Sequence, residues 1–391
     1  MRLALSDADA AFRDELRVFF TTQIPAEILD RARNDELRYP EDMVTTQRIL
    51  NAAGLAVPNW PVEWGGKDWT PLQHQIWSDE MRLASVPEPL AFNAGMVGPV
   101  IAQFGSQELK ERFLPATANL DIWWCQGFSE PEAGSDLASL RTTAVRDGDH
   151  YVINGQKTWT TLGQYADWIF VLARTNPDAP KKQAGISFIL LEMSTPGITL
   201  RPIKLIDGSY EVNEVFFEDV RVPVDQLVGE ENAGWSYAKF LLSNERTGIA
   251  RVGTSKVWLA DVKDRAAKTP VGSGTLLDDP LFAARVAEIE SELLALELTQ
   301  LRVSGDEGTG KPNPASSILK LRGSQLQQAV TELLVEVAGP DGLPFDAPDA
   351  VDSPAWAQHA APKYLNYRKT SIYGGSNEVQ RTIISSTILG L

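Results

Sequence analysis

Cysteine and histidine are scarce in this sequence. Of its 391 residues, only Cys125 is a cysteine, and the histidines are His74, His150 and His359. A single thiol excludes an internal disulfide framework and any zinc or iron-sulfur cage built on cysteine. Histidines so far apart in the sequence do not predict a histidine-rich metal site. We therefore expect no metal, and a protein suited to a reducing compartment.

Positive charge and long apolar runs are also lacking. Lysine and arginine number 36 against 52 aspartates and glutamates, so the formal net charge is -16. A protein that binds a phosphate backbone needs the opposite sign, so nucleic acid is not an expected partner. No segment reaches the roughly 18 consecutive apolar residues of a membrane span, and acidic residues interrupt the amino-terminal stretch. We expect no membrane span and no signal peptide, and hence a soluble, cytoplasmic protein.

The spacing of apolar residues changes twice along the chain. From residue 6 to about 119 they recur at helical spacing, with Ser6 as a candidate N-cap. Between about 121 and 234, short β-rich runs alternate with turn residues, and long helical periods then follow over 281–303 and 316–338. We predict an α+β multi-domain fold: an N-terminal helical domain (1–120), a central antiparallel β-sandwich or barrel domain (121–234) and a C-terminal helical bundle domain (235–391). No Gly-x-Gly-x-x-Gly follows a strand, so a Rossmann dinucleotide fold is not expected.

Three local segments are candidates for ligand binding. Residues 127–136 (GFSEPEAGSD) form a turn of small residues whose hydroxyls and amides suit a polar planar ligand. In 154–161 (NGQKTWTT), an Asn-Gly turn signal precedes Trp159, which can cover a ring, and two hydroxyls. In 371–381 (SIYGGSNEVQR), two glycines allow close backbone approach, and Ser376 can cap a helix whose free amides favour an anion. Taken singly, the three are also typical of a connecting loop, a hairpin with a core tryptophan and a Gly-rich helix start.

Together, the three segments have the order and spacing of the acyl-CoA dehydrogenase family, which the sequence resembles over essentially its whole length. That family also uses the order helices, β-domain, helices. Segments such as PNWPVEWGGKDWTP, WWCQGFSEPEAGSD, YADWIFVLART and NERTGIARVG look most similar to the large subunits of bacterial pimeloyl-CoA dehydrogenases, which work with a small subunit. They are also similar to actinobacterial dehydrogenases of bulky steroid-derived acyl-CoAs. The resemblance implies an FAD-dependent oxidoreductase that dehydrogenates an acyl-CoA thioester and passes electrons to an electron-transfer flavoprotein.

The resemblance also implies roles for individual residues. The cofactor-binding residues would be Gln126, Phe128, Ser129, Trp159, Thr160 and Thr161 at the isoalloxazine of FAD, and Ser376 and Glu378 at its adenosine half. The substrate-binding residues would be Ser135 on the path of CoA, Tyr373 beside the thioester and Arg246 near the acyl-CoA channel. The backbone N–H of Gly374 and a flavin ribityl hydroxyl would donate to the thioester carbonyl, in the manner of an oxyanion hole.

The catalytic base marks a departure from many family members. These have a glutamate directly after the tyrosine of the third segment, where this sequence has Gly374. A second subgroup carries its glutamate on the first long helix after the β-domain, before an arginine, and here that dipeptide is Glu245-Arg246. A Glu-Arg pair on a helix is commonly just a solvated pair. Because removal of the α-proton requires a base within reach of the substrate, we predict that Glu245 is that base.

A second departure concerns assembly. Most relatives have an Arg-x-x-Phe-Gly segment that reaches the neighbouring subunit's FAD, but residues 264–280 here are DRAAKTPVGSGTLLDDP. The Gly-Gly-rich stretch near the adenine is replaced by EVAGPDG at 336–342. We expect an oligomer, and two arrangements stay open. One is a heterotetramer with a second acyl-CoA dehydrogenase chain that supplies the arginine, and the other is a homo-oligomer in which Arg265 or Lys268 takes its place.

Three alternative functions also stay open. A flavin monooxygenase of the same fold needs no acyl-CoA base, so Glu245 and Ser135 argue against it. A non-catalytic subunit that stabilises a partner would be expected to have lost the flavin segments or the base. A desulfinase-like acyl-CoA lyase would keep both the FAD and the CoA site. The acyl group itself is not specified by the sequence, and bulky, branched or dicarboxylic chains all suit the space beside Gly374.

Overall fold

The computed structural model describes residues 5–305, 313–343 and 353–391, without the side chains of 243–249 and 304–305. Helices come first, a curled sheet follows, and helices return after it. This order confirms the predicted fold class. The boundaries at 120 and 234 stay predictions.

The N-terminal part is built from helices that cover one side of the sheet. They are α1 (Asp7–Gln23), α2 (Ala26–Arg33), α3 (Glu41–Ala52), α4 (Pro71–Leu83), α5 (Gly98–Phe104) and α6 (Gln107–Ala118). Ser6 caps α1 as predicted, because its hydroxyl accepts the backbone N–H of Asp9 at 3.1 Å. In the Pro- and Gly-rich loop before α4, Trp60 is buried and its indole N–H donates to the Ala94 carbonyl at 2.7 Å. This contact packs the loop onto the helices.

The central sheet is mostly antiparallel, with two parallel pairs. Its strands are β1 (Trp124–Gly127), β2 (Thr143–Asp147), β3 (His150–Thr161), β4 (Trp168–Arg174), β5 (Ile186–Glu192), β6 (Ile198–Ile203) and β7 (Val212–Pro223). The order is β1-β4-β2-β3-β7-β6, with β5 paired to β4. The parallel pairs are β1 with β4 and, at one position, β2 with β4.

Strands β4 and β5 are buried on both faces, which explains their unbroken apolar sequences. Phe170 and Phe188 stack at 5.6 Å between ring centroids and join the core shared with the N-terminal helices. Their neighbours Ile169 and Ile189 point to the other face and join a core within the sheet itself. Alternate residues of one strand therefore enter two separate cores.

The C-terminal part is a helical bundle around one buried helix. Its elements are α7 (Gly234–Ile249), α8 (Val252–Ala266), a hairpin of β8 (Pro270–Val271) and β9 (Gly274–Thr275), α9 (Pro280–Gly305), α10 (Ser316–Ala338), α11 (Ala355–Gln358), α12 (Ala360–Asn366) and α13 (Asn377–Ile383). Helix α10 packs against α7, α8, α9, α12 and α13. The helices predicted over 281–303 and 316–338 correspond to α9 and α10.

Candidate active site

The first candidate segment begins where β1 ends. Gly127 lies close against β4, because a Cβ there would lie 2.9 Å from Ile169 Cδ1, so a larger residue would displace that side chain. The Phe128 ring is buried in the core, with its centroid 5.7 Å from that of Phe170. Residue 128 can therefore meet a ligand through its backbone, and its assignment to the flavin stays a prediction. Gln126 and Ser129 on either side are half-buried and stay available.

The second segment lies inside β3 and is not a hairpin. The Asn-Gly signal at 154–155 marks a β-bulge opposite β7. Gly155 is required there because its φ is 150° and a Cβ would lie 2.5 Å from Thr142 Oγ1. The turn expectation is wrong because an Asn-Gly pair also suits a bulge, where one residue leaves the regular ladder. The hairpin alternative falls with it.

A second irregularity in β3 exposes a tryptophan. The register shifts between Lys157 and Thr160, and Trp159 adopts a left-handed φ of 61° with 59% of its surface exposed. Trp159 is therefore no core tryptophan. Thr161 beside it is half-buried, whereas Thr160 is fully buried and its hydroxyl has no hydrogen-bond partner within the described part of the chain. The Thr160 side chain thus lies in the interior, and its assignment to the cofactor site stays a prediction.

The first two segments are joined directly. The Thr158 N–H donates to the Ser129 carbonyl at 2.9 Å. An exposed indole and the half-buried side chains of Gln126, Ser129 and Thr161 therefore lie on two connected stretches of backbone. A flat ring with polar edges can stack on the indole while its edges form hydrogen bonds with the polar groups, and the isoalloxazine of FAD is such a ring. The residues present fit the cofactor.

A buried ion pair beneath these segments was missed by the sequence analysis. Lys157 Nζ donates to Glu130 Oε1 at 2.7 Å, and both side chains are buried. Burial lowers the pKa of Lys157 to about 8. Burial alone would raise the pKa of Glu130, but the Lys157 ammonium and its hydrogen bonds hold that pKa below its usual range. The available signal was that both residues lie within segments already singled out.

The third segment is a glycine turn followed by a capped helix. Gly374 and Gly375 have φ values of 63° and 83°, and a Cβ on Gly375 would lie 2.5 Å from Gln380 Nε2. Ser376 caps α13 by accepting the Val379 N–H at 3.3 Å. Before the glycines, Tyr373 is 37% exposed. Glu378 is exposed, with an ionic contact of 3.8 Å to Arg381.

Glu211 links the third segment to the second, through its carboxylate and its backbone carbonyl. The carbonyl of Glu211 accepts the Leu162 N–H at 2.7 Å, directly after the Trp159–Thr161 stretch. Its carboxylate accepts Asn366 Nδ2 at 3.0 Å and forms an ion pair with Lys369. These two residues precede Tyr373 by only a few positions. The sheet segment and the glycine turn are therefore fixed to the same residue, which sequence reasoning also missed.

The remaining predicted site residues are placed only in part. Glu245 and Arg246 belong to α7, but their side chains lie outside the described residues. Ser135 is exposed in the turn after the Glu130–Ala133 bridge.

The segment expected to contact a neighbouring subunit is folded onto its own chain. Arg265 Nε donates to Asp261 Oδ2 at 2.7 Å, and its guanidinium lies 4.2 Å from the centre of the Trp356 ring. Lys268 Nζ donates to Asp264 Oδ2 at 2.6 Å and is otherwise exposed. Arg265 would have to give up two contacts in order to reach a neighbour.

The described residues contain neither a helix that could span a membrane nor a cluster of metal-binding side chains. In 5–305, 313–343 and 353–391, no helix is both long and apolar enough to cross a membrane. Over the same ranges, no three side chains of His, Cys, Asp or Glu gather where they could hold a metal ion.

Comparison with known proteins assigns the family. Models of the N-terminal, middle and C-terminal domains of acyl-CoA dehydrogenase match residues 6–121, 125–220 and 232–389. Acyl-CoA dehydrogenase IpdE1 of Mycobacterium tuberculosis is 38% identical over 358 residues, which cover 90% of this chain and 89% of that protein. A chain of the ChsE4-ChsE5 complex from the same organism superposes with a TM-score of 0.85 at 34% identity, covering 100% and 99% of the two chains. The Tcur3481-Tcur3483 steroid ACAD superposes with a TM-score of 0.86 at 30% identity, with 100% and 99% covered. The chain described here belongs to the acyl-CoA dehydrogenase family.

Proposed function

We propose that this protein catalyses the FAD-dependent α,β-dehydrogenation of an acyl-CoA thioester. The observation that carries the proposal is the exposed face of Trp159. The segment that contains it is hydrogen-bonded to Ser129 and to Glu211. Glu211 also contacts the residues just before the glycine turn at Gly374. A flavin covered by the indole would then lie beside the turn that receives the thioester. FAD supplies the hydride acceptor for the substrate's β-carbon.

Proton removal falls to Glu245 in this proposal. Its carboxylate takes the α-proton, while the electron pair of the broken Cα–H bond becomes part of the new double bond and the β-hydride leaves. Residue 374 is a glycine and supplies no carboxylate, which supports the assignment because the reaction needs a base from elsewhere in the chain.

The glycine turn stabilises the charge that proton removal creates. When the α-proton leaves, negative charge develops on the thioester carbonyl oxygen. A backbone N–H from Gly374 aimed at that oxygen contributes about 3 kcal/mol of transition-state stabilisation, as oxyanion-hole donors do elsewhere. The left-handed φ of 63° at Gly374 supports this role, because it turns the chain directly after that amide, in a conformation that glycine adopts without strain.

A bulky, steroid-derived acyl group is the substrate class that we propose. Glycine at position 374 leaves room on one side of the reacting carbons, and one structural neighbour is named as a steroid ACAD. For the electrons, we propose an electron-transfer flavoprotein as the acceptor. For assembly, we propose a complex with a second acyl-CoA dehydrogenase chain.

Replacement of the proposed base tests the function. In Glu245→Gln, the rate at which an acyl-CoA bleaches the flavin should fall about 100-fold or more, because a general base has been removed. Glu230→Gln is the matched control, since Glu230 is exposed and lies just before α7. Flavin bleaching is measured by stopped-flow absorbance with several acyl-CoAs, including steroid-derived ones.

The same preparations identify the cofactor. The wild-type protein, alone or reconstituted with its partner, should be yellow and release FAD on denaturation. Release of FMN, or no flavin in either state, contradicts the proposed cofactor. Near wild-type bleaching in Glu245→Gln with FAD bound contradicts the assignment of the base.

A further inference from the structure

A buried ion pair lies between the two segments that are proposed to contact the flavin ring. Glu130 directly follows Ser129, and Lys157 precedes Trp159 by two residues. The Glu130 side chain is 8% exposed and that of Lys157 is fully buried, with 2.7 Å between Nζ and Oε1. The role inferred for this pair rests on the proposed binding of FAD.

The pair gathers several backbone groups around it. Lys157 Nζ also donates to the Phe128 carbonyl at 3.1 Å. The Glu130 carboxylate accepts the N–H groups of Arg141 at 2.6 Å and Thr142 at 2.9 Å. Two charges therefore connect the end of β1, the start of β2 and the middle of β3.

Stability alone does not explain a pair of this kind. Removing two charges from water is costly, and buried ion pairs can often be replaced by apolar residues with no loss of stability. The best-attested use of such groups is to fix one arrangement among several. The arrangement fixed here is that of the backbone around Ser129.

Peptide geometry shows what the pair controls. In a trans peptide, the carbonyl of one residue and the N–H of the next point in opposite directions. Lys157 holds the Phe128 carbonyl toward the interior, so the Ser129 N–H is turned away from it. That N–H donates to no other residue in the described part of the chain. On the other side of Ser129, the Thr158 N–H holds the next carbonyl at 2.9 Å.

We propose that Lys157, neutralised by Glu130, is the positioning residue for flavin binding: it aims the Ser129 N–H at the ring edge and fixes the bulge that presents Trp159. Neither side chain touches the cofactor. Both act through the backbone, so their loss should change how the flavin is held even where the fold survives.

The test uses Lys157→Met and the double variant Lys157→Met/Glu130→Gln in the full-length protein, or in the complex if the chain requires a partner. Lys157→Met leaves a buried carboxylate without its cation and should lower the thermal midpoint of the apoprotein. The double variant removes both charges and keeps an acceptor for the N–H groups of Arg141 and Thr142. Its apoprotein should recover most of the lost thermal midpoint.

FAD binding separates positioning from stability. In both variants, the dissociation constant for FAD should rise about tenfold or more, since the aim of a hydrogen bond to a polar ring edge is lost. The visible absorption bands and the reduction potential of the bound flavin should shift as well. Arg221→Met is the control, because it removes an exposed ion pair with Asp147 from the same sheet.

Two outcomes overturn the inference. One is FAD affinity, spectrum and potential equal to wild type in the double variant. The other is recovery of FAD affinity in parallel with the thermal midpoint, which would leave the pair a purely structural role. If the wild-type protein itself binds no FAD, the proposed function fails and this inference fails with it.

Discussion

At the scale of single residues, Trp159 shows how one irregular backbone position creates a candidate binding face. A tryptophan in a β-strand normally enters the core, and its neighbours in this chain, Trp124 and Trp168, do so. The bulge in β3 reverses that direction for Trp159. An exposed indole contributes little to the stability of the fold, but its face can stack on the ring of a ligand.

Replacement of Trp159 should therefore separate stability from binding. In Trp159→Ala, the free energy of unfolding of the apoprotein should change by no more than about 0.5 kcal/mol, as for surface positions. The dissociation constant for FAD should rise about tenfold, since stacking on the ring is lost. Denaturant titration and FAD fluorescence measure the two effects.

Trp124→Ala is the matched control for that experiment. Trp124 is fully buried, and its indole N–H donates to Thr117 Oγ1 at 2.9 Å. Its removal should lower the unfolding free energy by about 3 to 5 kcal/mol. Equal loss of stability in both variants, or unchanged FAD affinity in Trp159→Ala, would show that Trp159 is an ordinary packed residue.

At the scale of elements, helices α2 and α3 are joined by a two-point ion pair. Arg31 donates to both Asp42 oxygens, at 2.8 Å and 2.6 Å, and the Arg38 N–H donates to the same carboxylate at 2.9 Å. The hydrogen bonds from Arg31 hold the pKa of Asp42 below its usual range. Since the folded protein binds this proton less readily than the unfolded chain, Asp42 stabilises the fold above the unfolded pKa of about 4.

The lowered pKa of Asp42 gives a prediction about how stability depends on pH. At pH 7, Asp42→Asn should lower the thermal midpoint by about 5 °C, because two charge-assisted hydrogen bonds are lost. The difference from wild type should shrink as the pH falls below about 4 and Asp42 becomes protonated. Asp30→Asn, which removes the exposed pair with Arg33, is the control and should change little. A difference that already changes between pH 7 and pH 5 would contradict the lowered pKa of Asp42.

The sequence predicted most elements because their apolar spacing is regular. The helices α9 and α10 and strands β3 to β7 follow helical or strand periodicity, and three segments carried the resemblance. The Asn-Gly bulge was misassigned because its local signal is shared with a hairpin. Lys157, Glu130 and Glu211 were missed because a charged residue in a strand or loop is usually solvated. Only the fold shows that these three carboxylate and ammonium groups meet partners distant in sequence.

At the scale of the whole molecule, the candidate site is assembled from parts that no single segment contains. The exposed indole and Ser129 come from the sheet, whereas Tyr373 and Gly374 come from the last part of the chain. Glu211 joins them through Asn366 and Lys369. In the proposed reaction, the geometry of hydride transfer thus depends on the docking of the C-terminal bundle against the sheet. The proposed neighbour contact to FAD extends the same dependence to a second chain.

Replacement of Arg265 tests the proposed assembly. In a homo-oligomer that uses Arg265 to hold the neighbour's FAD diphosphate, that contact would contribute about 1.5 to 3 kcal/mol. In the structure, the Arg265 side chain instead donates to Asp261 and packs on the Trp356 ring. We therefore expect Arg265→Gln to leave FAD occupancy unchanged while lowering the thermal midpoint. Lys268→Gln, at an exposed position, should change neither quantity.

Native mass spectrometry then compares the chain alone with the chain co-expressed with a sister acyl-CoA dehydrogenase that carries the Arg-x-x-Phe-Gly segment. Because this chain lacks the segment, copies of it alone should bind FAD weakly at the shared face and show partial occupancy. The partner's arginine should restore one tight site per pair, so the expected species is a heterotetramer with two FAD molecules. A homotetramer with four FAD molecules and full activity would end the heteromer proposal. A loss of FAD in Lys268→Gln, or a loss in Arg265→Gln that its lower thermal midpoint does not explain, would identify which side chain replaces the missing arginine.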